Sequence, residues 1–310
     1  MTATPLDHLR AGVRRAGLAI DDVRLPFEHD VIANGVRLHL VEWRPDEPAT
    51  AAPPVVLLHG GSLTARTWDL VALALSRRHR CVAVDLRGHG NSEWPADGDY
   101  RHAALAADVA AVIDDLALAR AVVVGQSMGG LAAIRLAGER SDRLAGLVVV
   151  DIGPDLRADA AREIMAFTQH DQVLDDVEAF VERAMAFNPR RRRELLRQSL
   201  RHNLRQLPDG RWTWKWDTRR LRDVDLERLR VEHAALWEWV GRIRCPTLVV
   251  RGERSRVFLA EDEAALTAAI PRARGAVVAG AGHTVQGDNP AGLLDVLEPF
   301  LTDITEDTTP

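Results

Sequence analysis

Gly125-Gln126-Ser127-Met128-Gly129-Gly130 follows directly on the apolar run Ala121-Val122-Val123-Val124. This is a G-x-S-x-G nucleophile elbow in its expected setting, a buried strand breaking sharply into a helix. A serine at such a turn holds a strained backbone, and side chains at the flanking positions would collide, hence the glycines. The turn lifts the Ser127 hydroxyl above the sheet edge, where a base can reach it. Gly and Ser are common, so the motif alone is weak. Three further stretches at compatible positions give it weight.

The first is Val55-Val56-Leu57-Leu58-His59-Gly60-Gly61-Ser62, an apolar strand ending in a Gly-rich turn before a helix. Such a turn can aim the N–H of Gly61, together with that of Met128, at a developing oxyanion. Taken alone, His59-Gly60-Gly61 reads equally well as a simple tight turn. The second is Ala281-Gly282-His283-Thr284, after the short apolar run Ala276-Val277-Val278. An isolated His is more often structural. Here the chain order, nucleophile first and base last, is the one this architecture demands. The third, Asp85-Leu86-Arg87-Gly88-His89-Gly90-Asn91-Ser92, follows the strand Cys81-Val82-Ala83-Val84 and reads as structural support for the elbow.

In these stretches the sequence resembles the α/β-hydrolase fold family, from about residue 31 to residue 301. The matching pieces are the H-G-G turn, D-L-R-G-H-G-N-S, G-Q-S-M-G-G and G-H-T-V-Q-G-D-N-P. They are specific for the fold and not for the reaction, since the fold hosts esterases, amidases, lactonases, C–C hydrolases, dehalogenases and some non-hydrolytic proteins. Dehalogenases and epoxide hydrolases of this fold carry Asp at the elbow. Ser127 argues against both and favours acyl transfer through a covalent acyl-enzyme.

The resemblance also raises a question about the triad acid. The usual family pattern places it three residues beyond the Gly that ends the seventh strand, here Pro246-Thr247-Leu248-Val249-Val250-Arg251-Gly252. That position is Ser255, and the nearest carboxylate is Glu253. The sixth strand, Leu147-Val148-Val149-Val150-Asp151, offers another place. An Asp at the carboxyl end of a buried parallel strand lies on the rim where such sheets bind ligands, and its burial demands partners. A subgroup of the family, including a hydrolase acting on 2-(acetamidomethylene)succinate, places its acid there. The chain is similar to that subgroup in R-G-E-R-S-R-V and in the Ser127-to-Asp151 separation. Asp151 is therefore the expected acid. The alternatives are that Asp151 only caps the following turn, leaving a dyad, or that Glu253 serves.

At 310 residues the chain can bury a full core and carry one large domain with a subdomain. Short β-rich runs at 55–58, 81–84, 121–124, 147–150, 247–250 and 276–278 alternate with helical patterns near 66–77, 101–118, 131–140, 261–270 and 291–301. The alternation marks parallel strands covered on both faces. Ahead of them, residues 25–33 and 36–44 flank Asn34-Gly35, a hairpin signal. The expected organisation is an N-terminal helical arm over 1–24, an α/β-hydrolase core over 25–153 and 243–304, a cap over 154–242, and a disordered tail over 305–310. The fold class is thus α/β, with a mostly parallel eight-stranded sheet, helices on both faces and a helical cap between strands six and seven.

The formal net charge of −5 and the lack of a basic tail give no sign of nucleic acid binding. No apolar stretch approaches the ~20 residues of a membrane span. Residues 1–20 lack the h-region of a signal peptide. Cys81 and Cys245 sit at or beside strands and read as reduced core residues, which favours a cytoplasmic protein. The scattered His residues form no metal motif, Gly88-His89-Gly90 lacks the third Gly of a dinucleotide fingerprint, and no Walker A is present. No cofactor or metal is expected. The expected partner is a small-molecule substrate, with the chain a monomer or homodimer.

The insertion interrupts the alternation with helical patterns near 160–169, 174–186, 190–207 and 226–240. It holds five of the eight Trp residues, among them Trp214, Trp216 and Trp237. Trp212-Thr213-Trp214-Lys215-Trp216-Asp217 alternates as a strand or extended loop does. Its Trp residues either pack the cap or line an acyl pocket. Arg193, Arg197, Arg201 and Arg205 recur every four residues. They form either a solvated ridge or, through one member such as Arg193, a clamp on a substrate anion. A cap in this position is expected to roof an enclosed, mostly apolar cavity over Ser127.

These features point to a serine hydrolase cleaving an ester, lactone or amide of a small to medium metabolite, with Ser127, His283 and Asp151 as triad. Two rivals remain open: a cofactor-free C–C hydrolase, lyase or cyclase on the same fold, and a ligand-binding receptor with little turnover.

Overall fold

The computed structural model describes residues 4–45, 52–169, 172–187, 192–221 and 225–307. Its main sheet has eight strands: β1 (Phe27–Ala33), β2 (Val36–Trp43), β3 (Val55–Leu58), β4 (Cys81–Val84), β5 (Val122–Gln126), β6 (Gly146–Val150), β10 (Thr247–Gly252) and β11 (Ala273–Val278). Their spatial order is β1-β2-β4-β3-β5-β6-β10-β11. β1 and β2 form the antiparallel hairpin signalled by Asn34-Gly35, both of which turn with positive φ. β2 pairs antiparallel with β4, and from β4 to β11 every pairing is parallel. Short runs of Val and Leu buried on both faces dictate this arrangement, since only crossover helices can cover both sides of a parallel sheet.

One face is covered by α3 (His102–Asp115), α4 (Met128–Arg140) and α9 (Trp237–Val240), around Leu105, Val109, Ile134 and Val240. The other is covered by α1 (Pro5–Ala16), α2 (Asp69–Leu75) and α12 (Pro290–Asp307), around Leu9, Val13, Trp68, Val71 and Phe300. α1 is therefore part of the core packing. Thr4 and Asp7 form a capping box at its start, and Gly17 closes it in the left-handed region. α12 continues through Asp307, so residues 305–307 are helical where a tail was expected; 308–310 lie outside the described residues.

The insertion contains α5 (Ala158–Gln169), α6 (Val177–Phe187), α7 (Arg193–Asn203) and α8 (Leu226–Ala234), followed by α9. It is not purely helical. β7 (Val173–Leu174), β8 (Leu204–Gln206) and β9 (Trp212–Trp214) make a small antiparallel sheet in the order β7-β9-β8. The helical pattern over 190–207 ends at Asn203, because Leu204–Gln206 finds a strand partner in β9. Arg190 and Arg191 lie outside the described residues. The remaining core helices are α10 (Ala260–Ala269) and the short α11 (Val285–Asp288).

Several contacts seat the cap on the core. His89 and Trp216 bridge in antiparallel fashion with stacked rings, and the Asp217 N–H donates to the Gly88 carbonyl at 2.7 Å. Tyr100 donates to Asp217 at 2.7 Å, and Thr64 to Asn203 at 3.2 Å. Arg157 binds Asp262 and Glu261 on α10.

Candidate active site

Three loops at the carboxyl ends of β5, β6 and β11 meet at one point on the sheet edge, the rim where open α/β sheets bind ligands. Ser127 is the single residue between β5 and α4, with φ 52° and ψ −121°. That backbone is uncommon for a residue with a Cβ, and packing enforces it. A Cβ at Gly125 would lie 2.3 Å from the Gly129 carbonyl oxygen, and one at Gly129 would lie 2.6 Å from the Leu58 oxygen. The glycines of the motif are thus set by close backbone approach between strand, helix and the neighbouring β3 turn.

His283 brings Nε2 to 3.0 Å from Ser127 Oγ and Nδ1 to 2.9 Å from Asp151 Oδ2. Its loop is tied down from several sides. Gln126, just before the serine, donates from Nε2 to the His283 carbonyl at 2.9 Å. Asp288 accepts the Gly282 N–H at 3.0 Å, and Asn289 donates to the Ala279 carbonyl at 3.0 Å. This gives a structural role to the G-D-N-P end of the last motif.

Asp151 is fully buried and itself adopts φ 55°. Its Oδ1 accepts the Gly252 N–H at 2.7 Å, and its Oδ2 accepts the Ser255 hydroxyl at 2.5 Å besides facing His283. Burial of a carboxylate is tolerated where donors surround it in this way. Glu253 is exposed and accepts the Gly280 N–H at 2.7 Å, away from the imidazole. In the sequence Ser255 stands out only as a missing acid, and Gln126 only as a position within the elbow motif. Both contacts join distant parts of the chain, and no local pattern announces them.

Gly61 is exposed in the turn after β3, and Met128 opens α4. His59, two residues earlier, is wholly buried; its Nε2 accepts the Leu86 N–H at 3.0 Å, and its Nδ1 lies 2.8 Å from the Gly60 oxygen. Asp85 accepts the N–H groups of Ala65 and Asn91, and Arg87 forms a buried bidentate pair with Asp108. The D-L-R-G-H-G-N-S loop is structural, holding the β3 turn and docking the cap.

The cap side chains expected to contact substrate have the following partners within the chain. Trp214 packs edge-on against Phe180, their ring centres 5.0 Å apart, inside the cap's own core. Trp216 is buried in that same core. Trp237 packs on the sheet-side core and donates to Asp155 at 3.0 Å. Arg193 is ion-paired with Glu178 and Glu182 on α6, and Arg197 also binds Glu178. Arg197 and Arg193 thus clamp α7 to α6 and hold the Glu178 carboxyl down at about 2, whereas Arg201 meets His8 of α1 and Arg205 lies over the Trp94 ring. Two cavities of about 190 and 270 Å³ lie at the C-terminal ends of α3 and α4 and beside α12. Neither reaches Ser127, which is half-buried.

This fold and these converging loops define an α/β hydrolase. The family model of the alpha/beta hydrolase fold matches residues 53–290, and the chain belongs to that family. It is 34% identical over 259 residues to Esterase Rv0045c of Mycobacterium tuberculosis, covering 81% of this chain and 83% of that protein. A refined structure of Rv0045c superposes with a TM-score of 0.76 at 30% identity, covering 97% of this chain and all of that one. Esterase YbfF of Escherichia coli is 28% identical over 261 residues, 81% of this chain and 93% of that protein. The structure of E-2-(acetamidomethylene)succinate hydrolase superposes with a TM-score of 0.79 at 23% identity, covering 89% of this chain and 99% of that one, a likeness of fold.

Proposed function

We propose that this hydrolase cleaves carboxylic esters of small to medium metabolites through an acyl-enzyme on Ser127. The observation that carries the reading is the unbroken chain Ser127 Oγ–His283–Asp151, with contacts of 3.0 and 2.9 Å. His283 Nε2 takes the Ser127 proton as Oγ attacks the ester carbonyl. Asp151 holds the imidazole with Nδ1 protonated and balances the imidazolium that forms. The N–H groups of Gly61 and Met128 receive the oxyanion; one such donor is typically worth on the order of 10²–10³ in rate. The imidazolium gives its proton to the leaving alcohol. Water, deprotonated by the same nitrogen, then attacks the acyl-enzyme, and the acid departs with Ser127 restored. The esterase names of Rv0045c and YbfF support ester over amide or C–C chemistry. The buried, unpaired thiols of Cys81 and Cys245 fit a cytoplasmic setting.

The test is turnover of a p-nitrophenyl ester series from acetate to octanoate. Ser127→Ala is expected to lose at least about 10³-fold in kcat while unfolding like the parent. A variant keeping more than about 1% of the parent rate would exclude the covalent route.

A further inference from the structure

The hydroxyl of Ser255 occupies the place where the common family pattern carries its acid, and it touches the acid this chain uses instead. We propose that Ser255 is a positioning residue for the reaction, holding the Asp151 carboxylate in line with His283; this rests on the triad reading above.

The hydrogen-bond directions follow from chemistry. Ser255 Oγ lies 3.2 Å from the Val257 N–H and 3.3 Å from the Phe258 N–H, and both groups can only donate. The serine therefore accepts from these two and has one proton left to give. That proton faces Asp151 Oδ2 at 2.5 Å, and an ionised carboxylate can only accept. Two backbone donors thus polarise the hydroxyl that donates to Asp151, so the links of the chain strengthen one another. The Gly252 N–H fixes the other oxygen, Oδ1. With one oxygen held by β10 and the other by Ser255, the carboxylate plane cannot turn away from Nδ1. Ser255 is itself buried and locked by its own N–H to the Gly252 carbonyl at 3.0 Å. Asp151, already in a left-handed backbone, has no other described side chain to steady it besides His283.

A residue that acts only through Asp151 must lose its effect when Asp151 is gone. Ser255→Ala is expected to lower kcat by about ten- to a hundredfold, the usual scale for a hydrogen bond to a buried charge. KM should move by less than about threefold, because Ser255 does not touch substrate. Ser255→Thr, which keeps the hydroxyl, should recover most of the rate. In an Asp151→Ala background, Ser255→Ala should cost nothing further. All four proteins are normalised to folded enzyme by unfolding curves. Equal losses from Ser255→Ala in both backgrounds would overturn the proposal, as would a loss appearing only in thermal stability. Neither outcome touches the triad reading, which stands or falls on Ser127→Ala.

Discussion

Asp151 combines a strained backbone, complete burial and three donors on two oxygens. In the proposed reaction this charge balances the imidazolium of His283. Asp151→Asn should lower kcat on the order of 10³-fold or more, since an amide can hold the imidazole in the wrong tautomer. Glu253→Gln should stay within about twofold of the parent, because that carboxylate faces the Gly280 N–H. Comparing the two rates on one ester decides between the acids; the reverse ranking would move the acid to Glu253. At this scale the meeting of Ser127 and His283 is legible, because the elbow needs its glycines and His283 stands in a Gly-flanked loop late in the chain. Asp151 was legible as a carboxylate closing an apolar run. Ser255 was not legible as its partner, because the bond spans 104 residues and depends on β6 and β10 lying side by side.

Among the elements, the cap shows most clearly what patterning leaves open. A four-residue arginine spacing on α7 is compatible with a solvated ridge, an anion clamp or a helix-to-helix seam. Glu178 and Glu182 on α6 make it a seam at Arg193 and Arg197, and their approach depends on tertiary packing. The hairpin of β8 and β9 carried a readable sign, Asp209-Gly210 with Gly210 at φ 88°, inside a stretch dominated by helix formers. α8 also brings a charge-sensitive contact to the core. His233 is buried edge-on against His102 of α3, with ring centres 5.0 Å apart. Burial pushes its imidazole down to about 4 from an ordinary 6.5. Below about pH 6.5 the unfolded chain therefore takes up a proton that the folded chain refuses until about pH 4. The stability held at neutral pH is lost as pH falls through that window, by about 1.4 kcal/mol per unit for this one group. His202 on α7, pushed down to about 4 by burial and then by Arg66, adds to the same slope. His39, held up by Glu28, works in the opposite sense over the same range, so the readout is a difference in slope: in urea unfolding between pH 7 and 5, His233→Phe should lose less stability per pH unit than the parent. Identical slopes for parent and variant would remove His233 from the account.

The whole molecule works because a run of parallel strands delivers the β3, β5, β6 and β11 loops to one edge while two helical layers hold the sheet rigid. α1 extends that frame to the insertion: Gln198 of α7 donates to the His8 carbonyl at 3.0 Å, so core and cap share the N-terminal helix. This architecture was readable in the alternation of apolar runs and helical patterns, whereas the partners of each cap side chain were not, since they depend on how layers stack. The central claim is that one activated serine, Ser127, carries the chemistry. A fluorophosphonate titration tests it most directly, with residual esterase activity and the labelled peptide followed in the same samples. Activity should fall in proportion to the fraction labelled and reach zero at one equivalent, with the adduct on the peptide containing Ser127. Activity surviving full labelling of Ser127, or lost through an adduct on another residue, would contradict the account.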